Sequence, residues 1–96
     1  MKQIIQGTIA GCSPLEQYNK RNGEPSVKCV IHVKGYDNGH EKPQELAVSL
    51  SGDFSKWAGR IGAAVEVEYV NRVFPFKRGD MDWFGNDVYA VNIKEL

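Results

Sequence analysis

Apolar and polar residues alternate with a period of two over much of the chain, in short segments separated by glycine, proline, asparagine and aspartate. Successive side chains of a β-strand point to opposite faces, so this alternation predicts strands that each bury one face. The alternating segments are residues 3–12, 27–34, 46–51, 63–73 and 88–93. In the first of them Gly7 and Gly11 interrupt the pattern, as glycines do where a strand bends or bulges. The sequence therefore predicts five strands.

One segment has a different period. Between the third and fourth strands, apolar residues recur at the helical spacing i, i+3, i+4 and i+7, at Phe54, Trp57, Ala58 and Ile61. This spacing predicts one short amphipathic helix, with Asp53 at its N-cap and Gly62 just beyond its end. The sequence predicts two long loops, at residues 13–26 and 74–87, and a turn at Asp37-Asn38-Gly39.

The order of these elements is strand, long loop, strand, turn, strand, short helix, strand, long loop, strand. This is the order of the OB-fold, which binds oligonucleotides or oligosaccharides on its second and third strands and on the loops that join strands one to two and four to five. The sequence therefore predicts an all-β fold, a five-stranded OB-fold Greek-key barrel with one short helix between strands 3 and 4. An SH3-like barrel is the alternative, but it does not call for this helix.

The composition limits the class of protein. A length of 96 residues predicts a single domain, residues 1–96, and its 24 Leu, Ile, Val and Phe residues are enough for a core. Twelve basic and twelve acidic residues give a net charge of zero, which excludes a strongly basic or acidic character of the whole chain. No apolar run is long enough for a membrane span or a signal peptide, which predicts a cytoplasmic protein.

The sequence contains no assembled catalytic or metal-binding motif. Cys12 and Cys29 are too few for a disulfide scaffold, so we interpret them as reduced, buried thiols; a single disulfide between them is the alternative. His32 lies three residues after Cys29 on a strand, so the two side chains point to opposite faces, and His40 is a lone loop histidine. We therefore expect no enzymatic activity, no cofactor and no metal.

Single-strand binders stack bases on aromatic rings and contact phosphates with lysine and arginine. We assign Phe54, Trp57, Tyr69 and Tyr89 to the core. The candidate nucleic-acid-binding residues are Tyr18, Lys20 and Arg21 in the first long loop, Lys28, His32 and Lys34 in the outward row of strand two, and Arg72, Phe74, Phe76, Lys77, Arg78, Trp83 and Phe84 in or beside the second long loop. The outward row of strand two contains no acidic residue.

Three stretches, spread over most of the chain, carry a family resemblance. They are Lys20-Arg21-Asn22-Gly23-Glu24, Leu46-Ala47-Val48-Ser49-Leu50-Ser51-Gly52 and Trp83-Phe84-Gly85-Asn86-Asp87-Val88-Tyr89. In these stretches the sequence resembles the single-stranded DNA-binding protein superfamily of bacterial and phage OB-folds, and more closely its small stand-alone bacterial members. Housekeeping members carry a flexible tail with an acidic tip that recruits partners. Because this sequence ends as its fifth strand ends, we expect no recruitment through such a tail.

The predicted function is the binding of single-stranded nucleic acid, DNA in the first place and RNA as the alternative, with low sequence specificity. A second hypothesis is an OB-fold that serves as a protein–protein interaction or assembly module, its aromatic residues buried on a partner or in a homo-oligomer. The net charge of zero favours this second hypothesis, and three acids of the second loop, Asp80, Asp82 and Asp87, cancel its three cations, which argues against tight binding of nucleic acid. In a third interpretation the loop aromatics pack under their own loop.

Overall fold

The computed structural model describes residues 3–37 and 41–96, which form six strands and one short helix. The strands are β1 (Gln3–Cys12), β2 (Glu16–Asn19), β3 (Pro25–Asp37), β4 (Gln44–Ser51), β5 (Ala64–Arg78) and β6 (Met81–Glu95), and a 3-10 helix, Gly52–Trp57, follows β4. None of the helical structure in these two ranges is long and apolar enough to cross a membrane. Asn38 and Gly39, which make up most of the predicted turn, lie outside the described residues. The loop histidine His40 also lies outside them.

Strand β1 closes the sheet into a barrel because it pairs on both of its edges. Its residues 5–12 pair antiparallel with β3, and its residues 3–8 pair antiparallel with β5. The ring continues from β5 through β6 and β4 back to β3, and a single parallel pairing, Ser49 with Tyr89, joins β4 to β6. The five predicted strands form this ring, with the helix between the third and fourth of them. The predicted OB-fold barrel is thereby confirmed.

The core lies inside the barrel and contains the inward rows that the alternation predicts. Its buried side chains are Ile5, Ile9, Cys29, Ile31, Val33, Val48, Leu50, Trp57, Val65, Val67, Tyr69, Ala90 and Ile93. Burying one large aliphatic side chain stabilises a fold by about 1.5–3 kcal/mol, so these rows carry most of the driving force for closure. Trp57 and Tyr69 are thus in the core as predicted. The other two aromatic residues assigned to the core, Phe54 and Tyr89, are only half-buried.

Both cysteines are free thiols, as interpreted from the sequence. Cys29 is buried in the core, whereas Cys12 is only half-buried. Burial raises the pKa of Cys29 to about 11, and the neighbouring Cys12 thiol acts in the same direction. Cys29 is therefore an unreactive thiol at neutral pH, because the thiolate is the reactive form.

The helix differs from the predicted one in type and length. Ser51 is its N-cap and Asp53 lies in its first turn, so the predicted N-cap is wrong by two residues. A 3-10 helix has three residues per turn, which aligns Phe54 with Trp57 on the core side and ends the apolar stripe there. Gly59, with a φ of +79°, turns the chain away before Ile61, whose side chain is 57% exposed.

The first predicted loop, residues 13–26, contains the short strand β2. Gln17 lies opposite Val27, and Tyr18 lies opposite Ser26, so β2 and the start of β3 form a small hairpin. Its turn is closed by two backbone hydrogen bonds, one of which the Lys20 N–H donates to the Glu24 carbonyl at 2.9 Å. The sequence gives no sign of this strand because β2 has no apolar row to bury.

The second predicted loop, residues 74–87, is wrong as a loop because β5 and β6 continue through it as a two-stranded ribbon. Every residue from Asn71 to Arg78 has a partner on β6, down to the pair Arg78 and Met81 at the tip. Gly79, with a φ of +63°, is the first of the two residues that connect the strands. Two-residue hairpin connections with glycine in this position match the twist of the flanking strands.

The barrel closure predicts very different tolerance at two glycines of β1. A Cβ atom at Gly7 would clash with the Lys34 carbonyl, whereas one at Gly11 would lie an ordinary 3.7 Å from the Cβ of His32. We expect Gly7→Ala to lower the free energy of unfolding by more than about 3 kcal/mol, or to prevent folding, and Gly11→Ala to lower it by less than about 1 kcal/mol. Urea denaturation followed by circular dichroism measures both. Equal losses in the two variants would contradict the pairing of β1 with β3.

Candidate nucleic-acid interface

The ribbon has two faces of different chemistry. Odd-numbered residues of β5 point into the core up to Tyr69, and residues paired across antiparallel strands point to the same side. The even-numbered residues from Arg72 onward therefore continue the outward surface of the barrel. This outer ribbon face consists of Arg72, Phe74, Phe76, Arg78, Met81, Trp83, Gly85 and Asp87, with the pair Val70 and Tyr89 at its root. The opposite, inner ribbon face consists of Val73, Pro75, Lys77, Asp82, Phe84 and Asn86.

Aromatic rings and guanidinium groups alternate along the outer ribbon face. The Arg72 Cζ lies 6.0 Å from the centroid of the Phe74 ring and 6.0 Å from that of the Tyr89 ring. Nearer the tip, the Arg78 Cζ lies 6.0 Å from the centroid of the Trp83 ring. Such cation–π contacts hold each guanidinium group beside a ring while leaving its N–H groups available for an anion.

The rings of this face also pack on one another and on a glycine. The centroids of Phe74 and Phe76 are 6.2 Å apart, with the two ring planes tilted by 42°. The Phe74 ring lies directly over Gly85, where a Cβ atom would come within 2.6 Å of the Phe74 Cε2. Because a two-stranded ribbon has no core beneath it, these contacts are what positions the rings.

A groove connects the outer ribbon face with the outward surface of β3 and β4. Its volume is about 740 Å³. The lining residues are Tyr18, Lys28, Ser49, Leu50, Ser51, Phe54, Arg72, Asp87, Tyr89 and Ala90. The groove therefore starts at the β2 hairpin, crosses the seam where Ser49 pairs with Tyr89, and ends at the root of the ribbon.

A cation–π contact and a hydrogen bond position the charged side chains of the groove. At one end the Lys28 Nζ lies 5.3 Å from the centroid of the Tyr18 ring. At the seam, the Ser49 Oγ donates a hydrogen bond to the Asp87 Oδ1 at 3.2 Å. Lys28 pairs with Ser51 on β4 and with Glu16 on β2. The groove thus has a lysine at one end, an arginine at the other and a carboxylate between them.

The outward row of β3 is less basic than the sequence indicates. Glu45 of the neighbouring strand β4 lies 3.5 Å from the Nε2 of His32 and 3.4 Å from the Nζ of Lys34. Both contacts are exposed to solvent and add little stability. They nevertheless place a carboxylate beside two candidate binding residues that do not line the groove. Only Lys28 of this row lines the groove.

The structure brings together seven of the thirteen candidate residues. Those on the groove or the outer ribbon face are Tyr18, Lys28, Arg72, Phe74, Phe76, Arg78 and Trp83. Lys20 and Arg21 instead lie in the turn of the β2–β3 hairpin, and His32 and Lys34 contact Glu45. Lys77 and Phe84 lie on the inner ribbon face, where Phe84 is 72% exposed.

Sequence reasoning missed the groove residues of β4 and β6. The sequence analysis assigns Tyr89 to the core, but the side chain lines the groove. The register shifts between Glu68 and Tyr69 of β5, where β6 has one extra residue, and this bulge turns Tyr89 outward. Ser49 and Asp87 lie in two of the stretches that carry the resemblance but are not among the candidate residues, and only the register between strands places them side by side.

A second outward cluster, on β1, β5 and β6, is an ordinary solvated strand face. The Gln6 Nε2 donates to the Glu66 Oε1 at 2.7 Å, and the Lys94 Nζ lies 3.0 Å from the Glu66 Oε2. The hydrogen bond from Gln6, and then that from Lys94, lowers the pKa of Glu66. Within residues 3–37 and 41–96, no three side chains are grouped so that they could hold a metal ion.

Comparison with known proteins gives matches in structure alone. No protein-family model matches the chain, and no curated protein matches it in sequence. The fold is similar to the small single-stranded DNA-binding protein from Streptomyces coelicolor, with a TM-score of 0.51 and 21% identity over 99% of this chain and 93% of that chain. It is also similar to the mitochondrial single-stranded DNA-binding protein from S. cerevisiae, with a TM-score of 0.54 and 19% identity over 100% of this chain and 94% of that chain.

A third similar structure is a deletion variant of the single-stranded DNA-binding protein from Thermus aquaticus, with a TM-score of 0.58 and 17% identity. The match covers 100% of this chain and 50% of that chain. At these identities the likeness establishes the fold. It confirms the OB-fold that the resemblance in three sequence stretches implied.

The packing of Phe74 over Gly85 predicts an NMR signature. An aromatic ring shields protons that lie over its face, so we expect the resonances of the Gly85 Hα protons to be shifted upfield. Phe74→Leu removes the ring and should return these resonances to ordinary glycine values, whereas Phe84→Leu, on the inner ribbon face, should leave them unchanged. A proton–carbon correlation spectrum measures the shifts. Ordinary Gly85 shifts in the unmodified protein would contradict the described ribbon packing.

Proposed function

We propose that the chain binds single-stranded DNA, or RNA, with low sequence specificity across the groove and the outer ribbon face, and that it has no catalytic role. The observation that supports this proposal is the continuity of the two surfaces. Aromatic rings and cations alternate from Tyr18 and Lys28, through Tyr89 and Arg72, to Trp83 beside Arg78. Three solved structures with the same fold are of single-stranded DNA-binding proteins.

The rings supply the part of the affinity that does not depend on salt. Phe74, Phe76 and Trp83 are between 38% and 43% exposed, so each offers part of its ring to a base. Stacking on an aromatic ring contributes about 1–3 kcal/mol per base and tolerates every base. An unpaired strand exposes its bases for such contacts, whereas a duplex does not. Selectivity for single strands follows from this difference.

The cations supply the part that depends on salt. With a net charge of zero, attraction to phosphates has to be local, and the groove and outer ribbon face contain three cations: Lys28, Arg72 and Arg78. Each phosphate contact on a single strand contributes a slope of about −0.7 to the dependence of log K on log salt. Three contacts therefore predict a slope of about −2.

Two neighbouring ring variants test the stacking on the outer ribbon face. We expect Trp83→Ala to weaken the binding of a labelled oligo-dT by about tenfold, because it removes one stacked base. Phe84→Ala removes a more exposed ring, 72% against 43% for Trp83, from the inner ribbon face and should change the affinity by less than about twofold. Fluorescence anisotropy at low and physiological salt measures both, beside a duplex control. Losses of the same size in the two variants would show that the outer ribbon face is not the binding surface.

A pair of lysines on β3 tests the role of the groove. Lys28→Ala should weaken binding several-fold and reduce the salt slope by about 0.7, because it removes one phosphate contact. Lys34→Ala should have little effect, because Lys34 lies beside Glu45 and outside the groove. The same anisotropy titrations, repeated at several salt concentrations, give both slopes. A larger change of slope in Lys34→Ala would contradict binding in the groove and place the strand at the end of β3 beside Glu45 instead.

One observation favours a second candidate function, a protein-interaction or assembly module. The inner ribbon face presents two strongly exposed apolar side chains, Val73 at 64% and Phe84 at 72%, and exposed apolar patches often mark interfaces. A homo-oligomer or another protein would then cover this face. This function is compatible with nucleic-acid binding on the outer ribbon face. If the protein binds no single strand even at low salt, the assembly module becomes the better account.

A further inference from the structure

Asp87 is the one carboxylate among the described residues that line the groove. It is half-buried at the seam between β4 and β6, with Ser49 on one side and its cross-strand partner Arg72 on the other. Tyr89 lies two residues further along β6, on the same face. A carboxylate in this place would repel a phosphate backbone. Electrostatic attraction to phosphate therefore does not explain the position of Asp87.

The hydrogen bonding of Asp87 leaves acceptors free. The Ser49 hydroxyl donates to Oδ1 at 3.2 Å and holds the carboxylate in position. The other oxygen has no hydrogen-bond partner within the described part of the chain, and a carboxylate accepts about four hydrogen bonds in all. A ligand with N–H donors would satisfy these acceptors, whereas a phosphate oxygen would not.

The rings beside Asp87 indicate which part of the strand comes near it. Tyr89 and Phe74 flank Arg72 on the outer ribbon face, and a base stacked on the Tyr89 ring would have its edge beside the carboxylate. The phosphates of the bound strand would contact Lys28 and Arg72 at the two ends of the groove. The carboxylate is thus positioned for a base edge and not for the backbone.

We propose that Asp87 reads the Watson–Crick edge of one base and favours guanine over thymine there, an inference that rests on the proposed function. Guanine presents two neighbouring donors on this edge, N1–H and the N2 amino group, which match an acceptor-only carboxylate. Cytosine and adenine each present one amino group, and acidic side chains accept from the cytosine amino group in known complexes. Thymine presents N3–H between two carbonyl oxygens, which the carboxylate repels. One site of base preference thus lies within an otherwise unspecific surface.

The test compares affinities for short strands of fixed length and charge. Twelve-nucleotide oligo-dT is compared with strands that carry two separated central guanines, adenines or inosines, in lithium buffer to prevent guanine quadruplexes. We expect the guanine strand to bind about tenfold more tightly than oligo-dT, because guanine offers the carboxylate two hydrogen-bond donors. Inosine lacks the N2 amino group but keeps the size of a purine, so its strand should lose several-fold of this gain.

Two charge-matched variants assign the preference to Asp87. Asp87→Asn should reduce the ratio of guanine to thymine affinities to within about twofold, because an amide both donates and accepts. Removal of a negative charge raises the affinity for every strand, so the ratio, and not the affinity itself, is the readout. Asp82→Asn removes the same charge from the inner ribbon face and should keep the ratio of the unmodified protein. Urea unfolding checks that both variants fold.

The outcomes separate this inference from the proposed function. Equal binding of all strands by the unmodified protein, or a preference that survives Asp87→Asn, would overturn the role of Asp87 while leaving single-strand binding in place. If the inosine strand bound as tightly as the guanine strand, the proposed contact with the N2 amino group would be wrong. This outcome does not depend on whether Asp87→Asn folds. An absence of binding to every strand would overturn the proposed function, and this inference with it.

Discussion

The fold depends on one strand that pairs on both of its edges. β1 bonds to β3 and β5 at the same time, and at Gly7 it approaches β3 so closely that a single added carbon atom would clash with the Lys34 carbonyl. Without this contact the sheet would remain open, and its inward rows would face water. With it, the outward faces of β3, β4, β6 and β5 lie side by side around the ring. The groove exists because the closure brings Ser49 next to Tyr89.

The long hairpin of β5 and β6 combines two physically different halves. In the barrel half, Val65, Val67 and Tyr69 are buried and fix the register. Beyond Tyr69 and its partner Ala90 neither strand has a buried residue, and the rings are held by cation–π contacts and by the packing of Phe74 over Gly85. The ribbon can therefore keep apolar rings accessible that a closed core would bury. This arrangement gives a stacking surface whose order comes from side-chain contacts on the surface itself.

The parts of the structure that sequence analysis predicted are those with one buried face. Period-two alternation located the barrel strands because Ile31 and Val33, for example, are fully buried while Lys34 is exposed. The ribbon gave no such signal, since both of its faces are exposed and its residues have the composition of a loop. The helix was recognised from its apolar spacing, but that spacing does not separate a 3-10 turn from an α-helix. Contacts between strands, such as those of Glu45 with Lys34 and of Ser49 with Asp87, depend on register, which the sequence of one strand does not contain.

The central claim is that the groove and the outer ribbon face form one path for a single nucleic-acid strand. The most direct measurement is an NMR titration of the labelled protein with a ten-nucleotide single strand, following side-chain resonances. The account predicts that changes are largest for Lys28, Arg72, Tyr89 and Trp83 and remain small for Val73, Lys77 and Phe84. Arg72 and Trp83 of the first set lie on the same ribbon as the second set, but on its opposite face. A general change in ribbon structure would therefore affect both sets. Changes centred on the inner ribbon face, or on the outward cluster around Glu66, would contradict the account.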